Sequence, residues 1–189
     1  MQNAIKAMID ESVETKALVK EKAPEIEQCV KMIVNAFKKN KKVLLAGNGG
    51  SASQASHIAG EFVGRYKIER KALPSIALTT DTSILTAIAN DYSYDNVFSR
   101  QIEALGNESD IFISLSTSGN SKNLVNAIKE AKKKKMKIIG LYGKDGGLLK
   151  GTSDIEIIVP SKNTPRIQEA HLMILHIICE LVDEELFRK

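Results

Sequence analysis

An α/β fold of three layers, with a central parallel sheet between two layers of helices, is what this 189-residue sequence predicts. Short apolar runs at 43–46, 74–78, 110–115, 137–142 and 155–159 recur between longer stretches of helical periodicity. Two of these runs end in glycine- or serine-rich loops that open directly into helical pattern. A strand that feeds a helix through such a loop is the repeating unit of a parallel sheet, because parallel strands need a crossover between them.

Two helices precede the first strand. Ile5, Met8, Ile9, Val13 and Leu18 fall at loosely helical intervals through 3–20, and Ala23-Pro24-Glu25 restarts a helix with proline in its tolerant first turn. Ile26, Val30, Ile33, Val34 and Phe37 make the apolar face of the second helix. A minimal sheet does not require either, so residues 1–40 or thereabouts are expected in contacts between subunits.

The strand from Val43 then passes through Gly47-Asn48-Gly49-Gly50-Ser51-Ala52 into a helix that carries His57 and Glu61 one turn apart on one face. After the strand at 74–78, Thr79-Thr80-Asp81-Thr82 supplies capping groups for a helix reaching about Ala89, which Asn90-Asp91 ends. A further helix is expected over 96–105, and 110–115 is the clearest buried strand. It leads into Ser116-Thr117-Ser118-Gly119-Asn120-Ser121 and a helix marked by Leu124, Val125, Ile128 and Ala131. The strands at 137–142 and 155–159 follow, and a last helix spans about 165–187. No Pro/Gly/Ser-rich linker interrupts this order, so 1–189 reads as one domain.

Composition excludes more than it assigns. A formal charge of +4, with acids plentiful among the bases, gives no case for nucleic acid or membrane partners. The lysine run at 132–135 sits where a helix ends and complements its dipole. Cys29 and Cys179 lie far apart in apolar helical contexts and read as reduced core residues. With no secretory signal and no run of about 18 apolar residues, a cytoplasmic protein is expected.

Three stretches carry chemistry. The 116–121 loop offers four hydroxyls beside the free N–H groups of a helix start, a donor set suited to a phosphate monoester. It also reads as a plain serine-rich turn with Ser121 as N-cap, and it is not a Walker loop, since no Gly-Lys-Ser/Thr follows. The 47–52 loop fits the loose dinucleotide pattern G-x-G-x-x-A, but Asp81 lies too far on to serve as the ribose-binding acid, so a nicotinamide enzyme ranks below a sugar-phosphate site.

In the last helix, Gln168 and His176 fall within about 80° of each other. Together with His57 and Glu61 they offer two imidazole nitrogens and two oxygens, a set that suits zinc. The alternative is a hydrogen-bonded core histidine at 176 and a surface pair at His57–Glu61.

Gly47-Asn48-Gly49-Gly50-Ser51, the 116–121 loop and Arg166-Ile167-Gln168-Glu169-Ala170-His171, in this order and with His57 and Glu61 between the first two, closely resemble the phosphoheptose isomerase family. The resemblance runs nearly the whole chain. It implies the SIS fold, a flavodoxin-like or Rossmann-like sandwich, and a homotetramer that interconverts sedoheptulose 7-phosphate and D-glycero-D-manno-heptose 7-phosphate without a nucleotide cofactor. By position it implies a sugar-phosphate site of Asn48, Gly49, Gly50, Ser51, Glu61, Arg65, Asn90, Asp91, Ser116, Thr117, Ser118, Ser121 and Gln168. It implies one zinc per subunit on His57, Glu61, Gln168 and His176, with Glu61 and His176 as the acid/base pair.

Pro165 stands where some members of that family carry an aspartate, so no role of that aspartate transfers. The replication initiator-associating proteins resemble the same fold but act by binding. They lose the carboxylate and histidine that this chain keeps at Glu61 and His176.

Overall fold

Alternation of side chains along the strands sends apolar groups to two separate layers, and this organises the computed structural model, which describes residues 1–188. Val43–Gly47 (β1) and Ile111–Ser116 (β3) are buried at every position, which requires cover on both faces. With Ser75–Ala77 (β2), Lys137–Gly143 (β4) and Ile155–Val159 (β5) they form a parallel sheet in the order β2-β1-β3-β4-β5. Val43 stands opposite Ser75 on one side and Ile111 on the other.

Val43, Leu45, Ile111, Ile113 and Leu115 face one layer. They share a core with Ile33 of Ala23–Lys38 (α2), Ile58 of Gly50–Val63 (α3) and Ile174 of Thr164–Phe187 (α7). Leu44, Ala46, Phe112 and Tyr142 face the other, with Ile102 of Ser99–Leu105 (α5) and with Leu124 and Ile128 of Lys122–Lys133 (α6).

Of the remaining helices, Thr82–Asp91 (α4) packs Leu85, Ile88 and Ala89 against the second layer without burying any residue fully, and Gln2–Leu18 (α1) stands outside this scheme. Of the two N-terminal helices, α2 spends its apolar face inside the chain: Ile26, Val30, Ile33, Val34 and Phe37 are all core residues. In α1 only Thr15 is buried, while Ile5, Met8, Ile9 and Val13 are half or more exposed. Polar contacts to the start of α7 hold it: Ser12 Oγ donates to Glu169 Oε2 (2.5 Å), Asn163 Nδ2 donates to the Glu11 carboxylate, and Arg166 donates to the Met8 carbonyl. The expectation for residues 1–40 therefore divides, with α2 accounted for and α1 presenting an uncovered apolar face.

Asp81 caps α4 as its position predicts, accepting from Ile84 N at 2.9 Å. The helix expected over 96–105 starts later, at Ser99, because Tyr94–Asn96 closes a 3₁₀ turn in which Ser93 Oγ accepts from Asp95 N. Among the described residues no helix is long and apolar enough to cross a membrane.

From β1 the chain moves to β2 on one side and then to β3 on the other. The order of the sheet reverses between β1 and β3, and outside the carboxyl ends of strands at such a switch point open α/β sheets place their ligand crevice.

Candidate active site

The loops that rim this crevice are the two glycine- and serine-rich stretches. The turn after β1 reverses at Gly49, whose φ of +55° an L side chain rarely adopts, and α3 begins at Gly50. The amide of Gln168, from α7, lies directly on Gly50, so that a Cβ there would sit 2.4 Å from Gln168 Nε2. Gln54 Nε2 donates to the Gln168 carbonyl at 2.7 Å and fixes that approach. Ser51 is buried against Gly47 and packs the turn.

Asn48 does not stand free. Its amide exchanges two hydrogen bonds with Asn123 of α6 (3.0 and 2.9 Å), and its Oδ1 also accepts from Tyr94 OH at 3.1 Å. Asn123, buried in the first turn of α6, thus ties the β1 loop to the helix that follows β3. Neither Asn123 nor Tyr94 belongs to a motif, so nothing local in the sequence marks either as part of the site.

In the 116–121 loop two hydroxyls shape the turn. Ser116 Oγ accepts from Gly119 N at 3.0 Å, and Ser118 Oγ accepts from Asn120 N at 3.2 Å. Gly119 takes φ +68° and presses on the backbone of Gly146, whose carbonyl oxygen would lie 2.0 Å from a Cβ. Leu149 N donates to the Gly119 carbonyl, clamping the loop from the β4–β5 connection. Ser121 is the N-cap residue of α6 but makes no side-chain capping bond, and its Oγ lies 3.4 Å from that of Ser116. Thr117, Ser118 and Ser121 stay partly exposed. Hydroxyls and a helix start therefore face the crevice together, and the dipole of α6 favours an anion there.

At the other end of α3, His57, Glu61 and His176 converge. His57 Nε2 lies 3.1 Å from Glu61 Oε1 and 3.0 Å from His176 Nε2, and the ligand atoms of the three all fall within 4.8 Å of one another. Burial first, and the His57 imidazole second, push the His176 pKa down, while the Glu61 carboxylate pulls the other way. His176 is therefore neutral at pH 7 and keeps a lone pair. The network is satisfied when His57 Nε2–H donates to both Glu61 and His176 Nε2.

The same three groups suit zinc. Two imidazole nitrogens and a carboxylate oxygen are its usual donors, and bonds of about 2.1 Å at tetrahedral angles would place them about 3.4 Å apart, close to the separations found. Gln168 lies over Gly50, seven residues before His57 on α3, or about 10 Å of helix.

The Arg166–His171 motif divides its labour. Arg166 Nη2 pairs with Glu169 Oε1 at 2.7 Å, and both residues hold α1. Ile167 is core, and Gln168 reaches the glycine loop. His171 is fully buried with Nε2 3.0 Å from the Tyr142 carbonyl, and burial pushes its pKa down to about 4. It stays neutral, donates to that carbonyl and anchors α7 to β4 rather than meeting substrate.

Asn90 and Asp91 are exposed at the end of α4, where Asn90 Nδ2 donates to Asp91 Oδ1. Arg65 is exposed beside Glu69 at 3.6 Å. Cys29 and Cys179 are buried free thiols: burial pushes Cys29 up to about 12 and also raises Cys179, so neither is a nucleophile at neutral pH.

Comparison with known proteins identifies the family and the fold. The SIS domain family model matches residues 9–143. A phosphoheptose isomerase of Clostridium acetobutylicum is 53% identical over 99% of this chain and 97% of its own length. Among solved structures, a phosphoheptose isomerase from Francisella tularensis superposes with a TM-score of 0.94 at 37% identity, covering 97% of this chain and 98% of that one. Phosphoheptose isomerase from Neisseria gonorrhoeae gives 0.91 at 39% identity, with the same coverage.

Proposed function

The chain belongs to the phosphoheptose isomerase family of SIS-domain proteins, and from that premise we propose that it interconverts sedoheptulose 7-phosphate and D-glycero-D-manno-heptose 7-phosphate in bacterial heptose synthesis. One observation carries the reading: a cluster suited to proton transfer and a loop suited to phosphate lie at the two helices that open from neighbouring strands β1 and β3.

Turning the 2-ketose into the aldose takes a proton from C1 and delivers one to C2, while O1 loses a proton and O2 gains one. A base and an acid must flank these atoms. Glu61 and the neutral His176 are the pair, and His57 holds both through its Nε2. Asn48, Gly49, Gly50, Ser51 and Gln168 form the wall beside the sugar, and Ser116, Thr117, Ser118 and Ser121 take the phosphate. Asn90, Asp91 and Arg65, exposed on one chain, complete the site at a subunit boundary. Sugar phosphates are made where phosphoryl donors are, which places the reaction in the cytoplasm.

Zinc is the cofactor of this reading, one per chain, held by His57, Glu61 and His176; Gln168, expected from the sequence as the fourth ligand, has its amide on Gly50 instead. When bound, it supplies Lewis-acid stabilisation of charge on the sugar oxygens. The lone pairs that would bind it are those that move protons, so the two uses of Glu61 and His176 compete. The uncovered face of α1 supports a homotetramer. Native mass spectrometry reads both statements: four chains carrying four zinc ions are expected, and single chains or zinc-free tetramers would contradict one or the other.

A nucleotide-dependent oxidoreductase fits poorly, since the Gln168 amide covers the helix start that a pyrophosphate would need. An initiator-binding protein has no use for converged Glu61 and His176. Incubation with sedoheptulose 7-phosphate and no nucleotide should yield the aldose phosphate. Failure to turn over, together with tight binding to a replication initiator, would reverse the choice.

A further inference from the structure

The connection from α3 to β2 lies along α7 in three successive contacts. The Tyr66 ring stacks on His176, with centroids 5.6 Å apart and planes 23° from parallel. Lys67 Nζ pairs with Glu180 Oε2 at 2.7 Å, and Arg70 Nε donates to Asp183 Oδ1 at 2.7 Å. Burial separates the two ion pairs. The Lys67 and Glu180 side chains are 55% and 36% exposed and hold little in water, whereas those of Arg70 and Asp183 are 1% and 4% exposed.

The same guanidinium reaches back to the end of α3. Arg70 Nη2 donates to the Glu61 carbonyl and Nη1 to the Phe62 carbonyl, each at 2.8 Å. These carbonyls belong to the last turn, which a helix cannot pair internally, and α3 has no basic residue of its own in that turn. One planar fork thus binds the backbone of Glu61 to a carboxylate on α7. Asp183 lies seven residues beyond His176, so about two turns of one helix face separate the clamp from the imidazole.

We propose that Arg70 and Asp183 are positioning residues for the isomerisation: by fixing the end of α3 against α7 they set the separation of Glu61 from His176. The proposal rests on the acid–base reading of those two residues. Neither clamp residue touches the 116–121 loop, which is held by Gly146 and Leu149. The clamp should therefore act on the proton-transfer steps and leave phosphate binding alone.

Arg70→Lys keeps the charge but replaces the fork with one ammonium that cannot span both carbonyls and the carboxylate. Asp183→Asn keeps the shape and removes the charge. Each should lower kcat by about tenfold or more, since small misplacements at reacting atoms are costly, with KM for sedoheptulose 7-phosphate within about twofold. Arg70→Ala should fall furthest, and added ethylguanidinium should restore part of its kcat.

Glu61→Gln and His176→Gln are run beside them. Loss of kcat in those two with full kcat in Arg70→Lys and Asp183→Asn overturns the positioning role alone; activity retained in all four overturns the acid–base reading beneath it. Folded protein is counted by gel filtration and near-UV circular dichroism. Activity that falls only in proportion to that fraction assigns the pair to stability and also overturns the proposal.

Discussion

Glu61→Gln and His176→Gln should each lower kcat by about 10²-fold or more while KM for the sugar phosphate stays near its original value. Glutamine preserves the shape at 61 and leaves the backbone carbonyl in the grip of Arg70, so the change removes the carboxylate as proton acceptor, as partner of His57 and as metal donor while the backbone stays in place. At 176 the ring loses its contact with His57 Nε2 and its stacking on Tyr66, but the phosphate loop lies on a different pair of elements. The separation of kcat from KM is the signature of groups that work only on the reacting atoms. Folded variants with near-normal kcat that still exchange the C1 proton with solvent deuterium would show that other residues move the protons.

Gly119→Ala should damage the phosphate site and the fold at once. At φ +68° an alanine is strained by about 1–2 kcal/mol, and its methyl would meet the Gly146 carbonyl oxygen at 2.0 Å, adding about 1–3 kcal/mol of overpacking. The opposing atoms are backbone, so they cannot swing aside as a flexible side chain would. The Ser116 Oγ bond to Gly119 N and the Leu149 N bond to its carbonyl would both be displaced, taking the loop's hydroxyls out of register. A fall in Tm of several degrees, with KM raised by tenfold or more, is expected. Gly60→Ala is the control: that helical position has open space around it, and the change should be neutral or stabilising by about 0.5 kcal/mol. A Gly119→Ala enzyme with unchanged Tm and KM would mean that the loop neither needs this backbone nor holds the phosphate.

The contrast between these two glycines shows what a sequence discloses. Glycines and serines at the carboxyl ends of β1 and β3 are legible because the strand runs before them are unmistakable and small residues there free the backbone for a ligand. His57 and Glu61 are legible as a pair because four residues is one helical turn. His176 joins them across 119 positions, and only the geometry of α3 beside α7 makes that contact.

Residues that act through tertiary contacts leave no local trace. Asn123 buttresses Asn48, Tyr66 stacks on His176 and Arg70 caps α3, yet each looks in sequence like an ordinary surface polar or aromatic residue. The helix expected at 96 is delayed because a serine–aspartate turn outcompetes helical periodicity, a choice made by one hydrogen bond. The apolar positions of α1 and α2 look alike in sequence. Only packing reveals that α2 serves the core of this chain and α1 does not.

Central to the account is that Glu61 and His176 carry a proton between C1 and C2 of a seven-carbon sugar phosphate. Proton NMR of the reaction run in D₂O with sedoheptulose 7-phosphate as the only organic substrate tests this most directly. The account predicts an aldose phosphate that carries solvent deuterium at C2, formed without nucleotide and suppressed together with C1 exchange in Glu61→Gln and His176→Gln. An aldose formed with equal efficiency by both variants, or no aldose at all from zinc-loaded tetramer, would contradict it.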